Sequence, residues 1–170
     1  NAMLMQLFML FSFFMDGFAF AGEALAGKYT GRSDSASLRS LVRALMKTGL
    51  CCAVVFSLTY LGAGEWLIKL LAKDPSVTAM AIYYLPWAVA VPLCGFMAFV
   101  WDGIYVGLVR TRAMLVSMAV ALAVFFAVYF IVRNNLANHG LWLAFNLYLL
   151  TRGCVLGILF RRCPHYKSNS

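Results

Sequence analysis

The chain has 170 residues, of which 64% are hydrophobic and only 12% are charged. Soluble domains contain about 45–50% apolar and about 25% charged residues, so this composition excludes an ordinary water-soluble domain. The formal net charge is +8, but nucleic-acid binding requires a basic stripe on a water-exposed surface, and here Lys and Arg lie in short gaps between apolar runs. We therefore expect an all-α membrane protein in contact with lipid, and no nucleic-acid partner.

Five apolar runs predict a polytopic transmembrane helix bundle over residues 3–162. Each run approaches or exceeds the ~20 residues that a helix needs to cross a hydrocarbon core of ~30 Å. We interpret residues 1–2 (Asn-Ala) as the remnant of an expression tag and residues 163–170 as a cytoplasmic tail. The predicted spans are about 3–26, 41–61, 76–108, 113–132 and 141–160.

The breaks around the third span have distinct local signals. Gly62-Ala63-Gly64 predicts the end of the second span, and residues 65–73 are interpreted as a short amphipathic turn at the membrane interface. Asp74-Pro75 predicts an N-cap followed by proline at the first helical position. Pro86 and Pro92 each remove a backbone donor within the third span, which predicts kinks beside neighbouring helices or a cavity.

Basic residues near the span ends are shared unevenly between the two predicted sides of the membrane. Ten lie on one side and three on the other, and the side richer in Lys and Arg is cytoplasmic by the positive-inside rule. The first span then enters from outside and the C-terminus lies inside, which predicts that further helices precede this chain. The ten are Lys28, Arg32, Arg39, Arg43, Lys47, Arg110, Arg112, Arg161, Arg162 and Lys167, and the three are Lys69, Lys73 and Arg133.

Three carboxylates, Asp16, Glu23 and Asp102, lie deep within apolar runs. An ionised Asp at the centre of a membrane helix costs about 2.5–3.5 kcal/mol on translocon scales, so each of these residues predicts a function. Asp16 and Glu23 share one helix face, and a carboxyl group in this setting can carry a coupling proton or bind Na⁺. The structural alternatives are that Glu23 pairs with Lys28 and that Asp16-Gly17 caps a helix break.

Arg152 and two glycine patterns complete the candidate residues. An arginine within a span is about as costly as Asp, so Arg152 predicts a carboxylate or carbonyl partner; the alternative is that its long stem reaches the cytoplasmic interface. Gly103-xxx-Gly107 and Gly153-xxx-Gly157 both permit close helix packing. Because Gly103 follows Asp102 directly, the first pattern also keeps space beside that carboxylate.

The sequence contains no nucleophile with an adjacent base, no glycine-rich phosphate loop and no cluster of metal ligands. His139 and His165 fall in polar segments outside the predicted spans. We therefore expect a protein that is not an enzyme and has no bound cofactor or metal.

Four segments carry a specific resemblance to a known family. They are the run from Asp16 to Gly27, Asp74-Pro75-Ser76-Val77, the run from Asp102 to Arg112, and Gly140 to Phe145 followed by Arg152. In this order they resemble the eighth helix, an outer loop, the end of the tenth helix with its inner loop, and the twelfth helix. The family is that of multidrug and toxic compound extrusion (MATE) transporters, in its DinF-like branch.

The resemblance extends over about residues 7–160 and implies helices eight to twelve of a twelve-helix transporter. In that family two six-helix lobes face a central cavity and export amphiphilic or cationic small molecules in exchange for H⁺ or Na⁺. The likeness implies an ion-coupling role for Asp102 and places Asp16 and Glu23 at positions typical of the branch. It also implies that the missing N-terminal helices of the same transporter are a partner, since alternating access needs both lobes. A partial lobe should not transport alone.

These observations predict a multi-pass protein of the bacterial inner membrane whose C-terminus is cytoplasmic. Two alternatives remain open. One is a polysaccharide or lipid-precursor flippase, whose inner cavities are more cationic, and Arg152 is the one residue that favours it. The other is a non-transporting membrane module that pairs with another protein through its glycine faces, for which removal of Asp102 would have no effect.

Overall fold

The computed structural model describes residues 1–72 and 74–162, with only the backbone at positions 134, 135 and 137. Every regular element in these residues is an α-helix, and five helices are long and apolar enough to cross a membrane. The predicted all-α bundle of about five spans is therefore confirmed. The helices are α1 (Ala2–Gly31), α2 (Ser35–Leu71), α3 (Pro75–Gly107), α4 (Thr111–Arg133) and α5 (Asn138–Arg161).

Helical backbone is continuous over Thr111–Arg161, yet α4 and α5 are separate spans. A Cβ atom built on Gly140 would lie 3.6 Å from the carbonyl carbon of Val132. In a straight helix residues eight apart are separated by about 12 Å along the axis. The chain therefore bends sharply between Val132 and Gly140.

Helix α2 continues through the glycine pair at which the sequence predicts its end. The predicted stop at Gly62-Ala63-Gly64 is wrong, because α2 ends at Leu71. Glycine lowers helix stability by only about 1 kcal/mol, and here tertiary packing outweighs that effect. A Cβ on Gly64 would lie 2.9 Å from the Leu85 side chain of α3, and Ile68 is completely buried. Residues 65–71 thus belong to α2, with Ala72 as its C-cap, and do not form a separate turn.

Two aspartates begin helices by capping them. Asp74 accepts hydrogen bonds from the Ser76 hydroxyl at 2.8 Å and the Ser76 amide at 2.9 Å, and Pro75 follows as the first helical residue. These bonds favour the carboxylate and lower the pKa of Asp74. Asp34 caps α2 in the same way by accepting from the Ser37 amide at 2.9 Å. The N-cap predicted at Asp74-Pro75 is confirmed.

Helix α3 is the centre of the bundle. It packs against α1, α2 and the continuous stretch that contains α4 and α5. Half of the residues in its most apolar window are buried, against 11% in α4. The helix stays helical through both internal prolines, with Pro92 buried and Pro86 exposed. A proline disrupts the backbone hydrogen bonds of the helical turn before it. In that turn before Pro92, the Val89 carbonyl accepts a hydrogen bond from the Ser57 hydroxyl of α2 at 2.8 Å.

The basic residues gather at one end of the bundle. This end contains the α1–α2 and α3–α4 connections and the last turn of α5. The described members of the predicted cytoplasmic set lie there or in the half of α2 nearest to it, where Lys47 lies deepest, whereas Lys69 and Arg133 lie at the opposite end. Lys73 and Lys167 lie outside the described residues. The asymmetry that the positive-inside rule uses is therefore present in the fold.

Both glycine patterns allow close contacts between helices. The pattern on α3 contacts α1, and the pattern on α5 contacts α3. A Cβ on Gly103 would overlap the backbone of Ala19 in α1, and one on Gly107 would overlap the Glu23 carbonyl. A Cβ on Gly153 of α5 would lie 2.7 Å from the Cβ of Met97. Side chains at these positions would force the helices apart, so the glycines set how closely α1 and α5 approach α3.

We predict that Gly103→Ala destabilises the bundle by about 1–3 kcal/mol, because the added methyl group meets backbone, which cannot rotate away. The matched control is Gly62→Ala, where a Cβ would meet nothing within 4 Å and helix propensity favours Ala by up to about 1 kcal/mol. Equilibrium unfolding in mixed detergent micelles measures both. Equal effects of the two substitutions would show that the α1–α3 contact does not limit stability.

Candidate functional site

An ion pair joins the central helix α3 to α5 inside the membrane-spanning region. The Nη2 atom of Arg152 on α5 lies 2.8 Å from Oδ2 of Asp102 on α3. Only 19% of the Arg152 side chain and 22% of the Asp102 side chain are exposed. At this distance the contact is a charge-assisted hydrogen bond. It supplies the carboxylate partner that the sequence predicts for Arg152, in place of the interfacial alternative.

Neighbouring contacts between α3 and α5 hold this pair in place. Gly153, which follows Arg152, allows α5 to approach the backbone of α3 at Met97. One turn further along, the buried Tyr105 hydroxyl donates to the Leu156 carbonyl at 2.9 Å. The close approach at Gly153 and the Tyr105 hydrogen bond therefore fix the distance between α3 and α5, and with it the positions of the two charged side chains.

The ion pair leaves hydrogen-bonding capacity unused. Oδ1 of Asp102 and Nε of Arg152 are buried and have no hydrogen-bonding partner among the residues that the structure describes. A buried polar atom without a partner costs about 1–3 kcal/mol, and more when it is charged. A carboxylate with one free oxygen can accept a proton or coordinate a cation. Asp102 can therefore bind Arg152 through one oxygen while its other oxygen is open to a proton or a cation.

The structure places the other two predicted carboxylates differently. Asp16 is half-buried and Glu23 is exposed on α1. Among the described residues, neither carboxylate side chain forms a hydrogen bond or joins either ion pair. The alternative pairing of Glu23 with Lys28 does not occur in this structure. The alternative of a helix break at Asp16-Gly17 is wrong, because α1 is continuous from Ala2 to Gly31.

An aromatic cluster around His139 was not anticipated from the sequence. The Nδ1 atom of His139 accepts a hydrogen bond from the Trp87 indole at 2.9 Å. Its ring centroid lies 4.6 Å from that of Tyr84 and 5.3 Å from that of Tyr83. In the sequence His139 falls in a polar segment outside the predicted spans, and no local spacing links it to α3. Only the packing of α5 on α3 reveals the contact.

Comparison with known proteins identifies the family. The model of the MatE family matches residues 2–132. The chain belongs to the MatE family. This confirms the resemblance found in the sequence, and with five apolar helices it makes the chain a multi-pass membrane protein.

One curated relative of this MatE-family chain is the DNA damage-inducible protein F of Escherichia coli (strain K12). The two are 37% identical over 170 residues, an alignment that covers 100% of this chain and 36% of the relative. The chain thus spans about a third of the length of the relative that it matches. No solved structure shows a significant match to the chain.

We predict that Asp102 and Arg152 are energetically coupled in the MatE-family bundle. Asp102→Asn or Arg152→Gln alone should lower the free energy of unfolding by about 1.5–3 kcal/mol, because each leaves a buried charged partner without its counter-charge. The double variant should lose less than the sum of the two, as residues in direct contact do. Unfolding in mixed micelles measures the cycle.

The matched control is the exposed pair of Glu65 and Lys69, whose atoms lie 3.8 Å apart with side chains 62% and 61% exposed. Exposed i,i+4 pairs contribute about 0.3–0.5 kcal/mol, so Glu65→Gln and Lys69→Gln should show little coupling. Additive losses at Asp102 and Arg152 would mean that their contact contributes nothing to stability.

Proposed function

We propose that this chain is part of a secondary active antiporter that exports amphiphilic or cationic organic compounds in exchange for H⁺ or Na⁺. The observation that carries the proposal is the Asp102–Arg152 ion pair between α3 and α5 of a MatE-family bundle. Charged side chains within membrane spans are rare and mark ion or substrate pathways. The proposed role is transport, without an enzymatic step or a bound cofactor.

Asp102 is the proposed coupling residue. A proton or Na⁺ at its free oxygen competes with the Arg152 guanidinium for the carboxylate charge. Binding of the cation therefore weakens the contact between α3 and α5, and release of the cation restores it. A bound cation that favours one arrangement of these helices shifts the population toward that arrangement, which is the requirement for coupling.

Antiport follows from competition at the same carboxylate. A cationic substrate and the coupling ion both gain from the negative charge of Asp102, so occupation by one disfavours the other. The two α1 carboxylates, the half-buried Asp16 and the exposed Glu23, are proposed as secondary positions on the way to this site. The exposed aromatic side chains of α1, such as Phe13 and Phe20, offer apolar surface to amphiphilic compounds.

The rest of the transporter is proposed to correspond to the part of the E. coli relative that this chain does not span. The chain covers 36% of the E. coli protein, and α1 and α4 expose large apolar side chains over much of their length. We infer that N-terminal helices of the same transporter and lipid cover these faces, and that the chain alone does not transport. The basic end is proposed to face the cytoplasm of a bacterial inner membrane.

The flippase alternative is less well supported by the contacts. Arg152 is the residue that favoured a cationic inner cavity, and its charge is offset by Asp102 at 2.8 Å. The partner-module alternative relies on the glycine faces, but Gly103 and Gly107 already contact α1, and Gly153 already contacts α3. The antiporter therefore remains the function best supported by the site.

We predict that the complete transporter extrudes a cationic dye from a pump-deficient bacterium and that Asp102→Asn reduces this extrusion to background at equal membrane abundance. The amide keeps the shape of the carboxyl group but has no negative charge with which to bind the coupling cation. Glu65→Gln, an exposed carboxylate change at the opposite end of α2 from the basic cluster, should retain extrusion. Dye fluorescence under an imposed H⁺ or Na⁺ gradient gives the rate.

Either negative outcome redirects the assignment. If the intact transporter moves no dye under either gradient, the flippase and partner-module functions become preferable. If the Asp102→Asn transporter still responds to the ion gradient, coupling belongs to carboxylates outside the α3–α5 contact.

A further inference from the structure

A groove with basic and apolar walls lies at the basic end of the bundle. It has a volume of about 880 Å³ and is formed by α2, α3 and α5. Neither Asp102 nor Arg152 lines it, and no residue of α1 does. The groove is therefore separate from the proposed coupling site. Its basic residues are Arg39, Arg43, Lys47 and Arg161, and its apolar residues include Val42, Met46, Met97, Trp101 and Ile158.

The basic side chains form a regular row along α2. Arg39, Arg43 and Lys47 are four residues apart, so they lie on one helix face at intervals of about 6 Å. Arg161 at the end of α5 closes the opposite wall. Like charges at this spacing repel each other. Among the described residues that line the groove there is no Asp or Glu, so this wall favours an external anion.

The apolar wall determines which kind of anion fits. Met46 and Met97 face the groove from α2 and α3, and Ile158 from α5. Ile158 is 55% exposed. Aliphatic side chains of this kind offer dispersion contacts to a hydrocarbon chain and none of the directional contacts that a small hydrophilic anion needs. Cations beside an apolar groove between helices match a ligand with a phosphate head and an acyl tail.

The position of the groove in the bilayer supports a lipid as the occupant. The row begins in the second turn of α2, close to the basic end where the connections leave the hydrocarbon region, and Lys47 lies deeper along the span. A phospholipid phosphate sits at that boundary and its chains extend inward from it. Basic side chains can therefore reach the head group while the apolar residues contact the tail.

We propose that this groove is a binding site for an anionic phospholipid. Arg43, Lys47 and Arg161 hold the phosphate head group, and Met97 and Ile158 contact an acyl chain. The bound lipid would bridge α2 and α5, two helices that are joined in this bundle through α3.

Native mass spectrometry of the complete transporter with added phosphatidylglycerol or phosphatidylcholine tests the site. We expect retention of phosphatidylglycerol in preference to phosphatidylcholine. The triple variant Arg43→Gln, Lys47→Gln, Arg161→Gln should lower this retention at least about tenfold, because attraction of anionic lipid grows with each basic side chain. The matched control, Lys28→Gln, Arg32→Gln, Arg112→Gln, removes the same charge at the same end from exposed residues outside the groove.

Three outcomes would overturn the proposal. Equal loss in both triple variants would indicate general attraction by the basic end. Equal retention of phosphatidylcholine would remove the requirement for an anion. Displacement of the lipid by millimolar inorganic phosphate would indicate a site for phosphate alone.

A single variant keeps the test valid if the triple variant does not fold. Ile158→Gln leaves every charge in place and changes an exposed side chain of the apolar wall. It should lower retention of long-chain phosphatidylglycerol and leave retention of a short-chain form unchanged. An equal effect on both chain lengths would exclude acyl-chain contact at this wall.

Discussion

The structure depends on the close approach of two helices to α3. At Gly103 and Gly107 the backbone of α1 lies where side chains would stand, and at Gly153 the backbone of α5 approaches Met97. In a membrane, lipid tails are as apolar as the helices, so association relies on such packing and on polar contacts, with little help from burial away from water. Because α3 is held on both sides, its polar residue Asp102 has a defined position.

The Asp102–Arg152 ion pair is the polar counterpart of this packing. Two charges in a low-dielectric region attract strongly but lose their hydration, and a pair of this kind adds little net stability. Its presence is therefore better explained by function than by stability. The free Asp102 oxygen and the unpaired Arg152 Nε allow the carboxylate to change partners without leaving the bundle. In the proposed antiporter, such an exchange would connect ion binding to the relative position of α3 and α5.

The basic groove and the ion pair use different faces of the same helix. Trp101 lines the groove, and Asp102 follows it at about 100° around α3. A lipid that bridges α2 and α5 would thus contact the helices that carry the ion pair without entering its site. Binding on one face can then influence the packing that the other face requires. The separation also explains why removal of groove charges and removal of Asp102 have distinct expected effects.

Composition and hydropathy determined the class and the number of spans, because these depend on the thickness of the bilayer. The Asp74-Pro75 motif determined the start of α3, because capping depends on local chemistry. The family also followed from short motifs in the sequence. Tertiary structure decided the end of α2, since packing of Gly64 on Leu85 outweighs helix propensity. It also decided the partner of Arg152, the contacts of His139 with α3, and the groove, because each joins residues from helices distant in sequence. Hydropathy is a property of single segments, whereas these contacts depend on how the helices pack against one another.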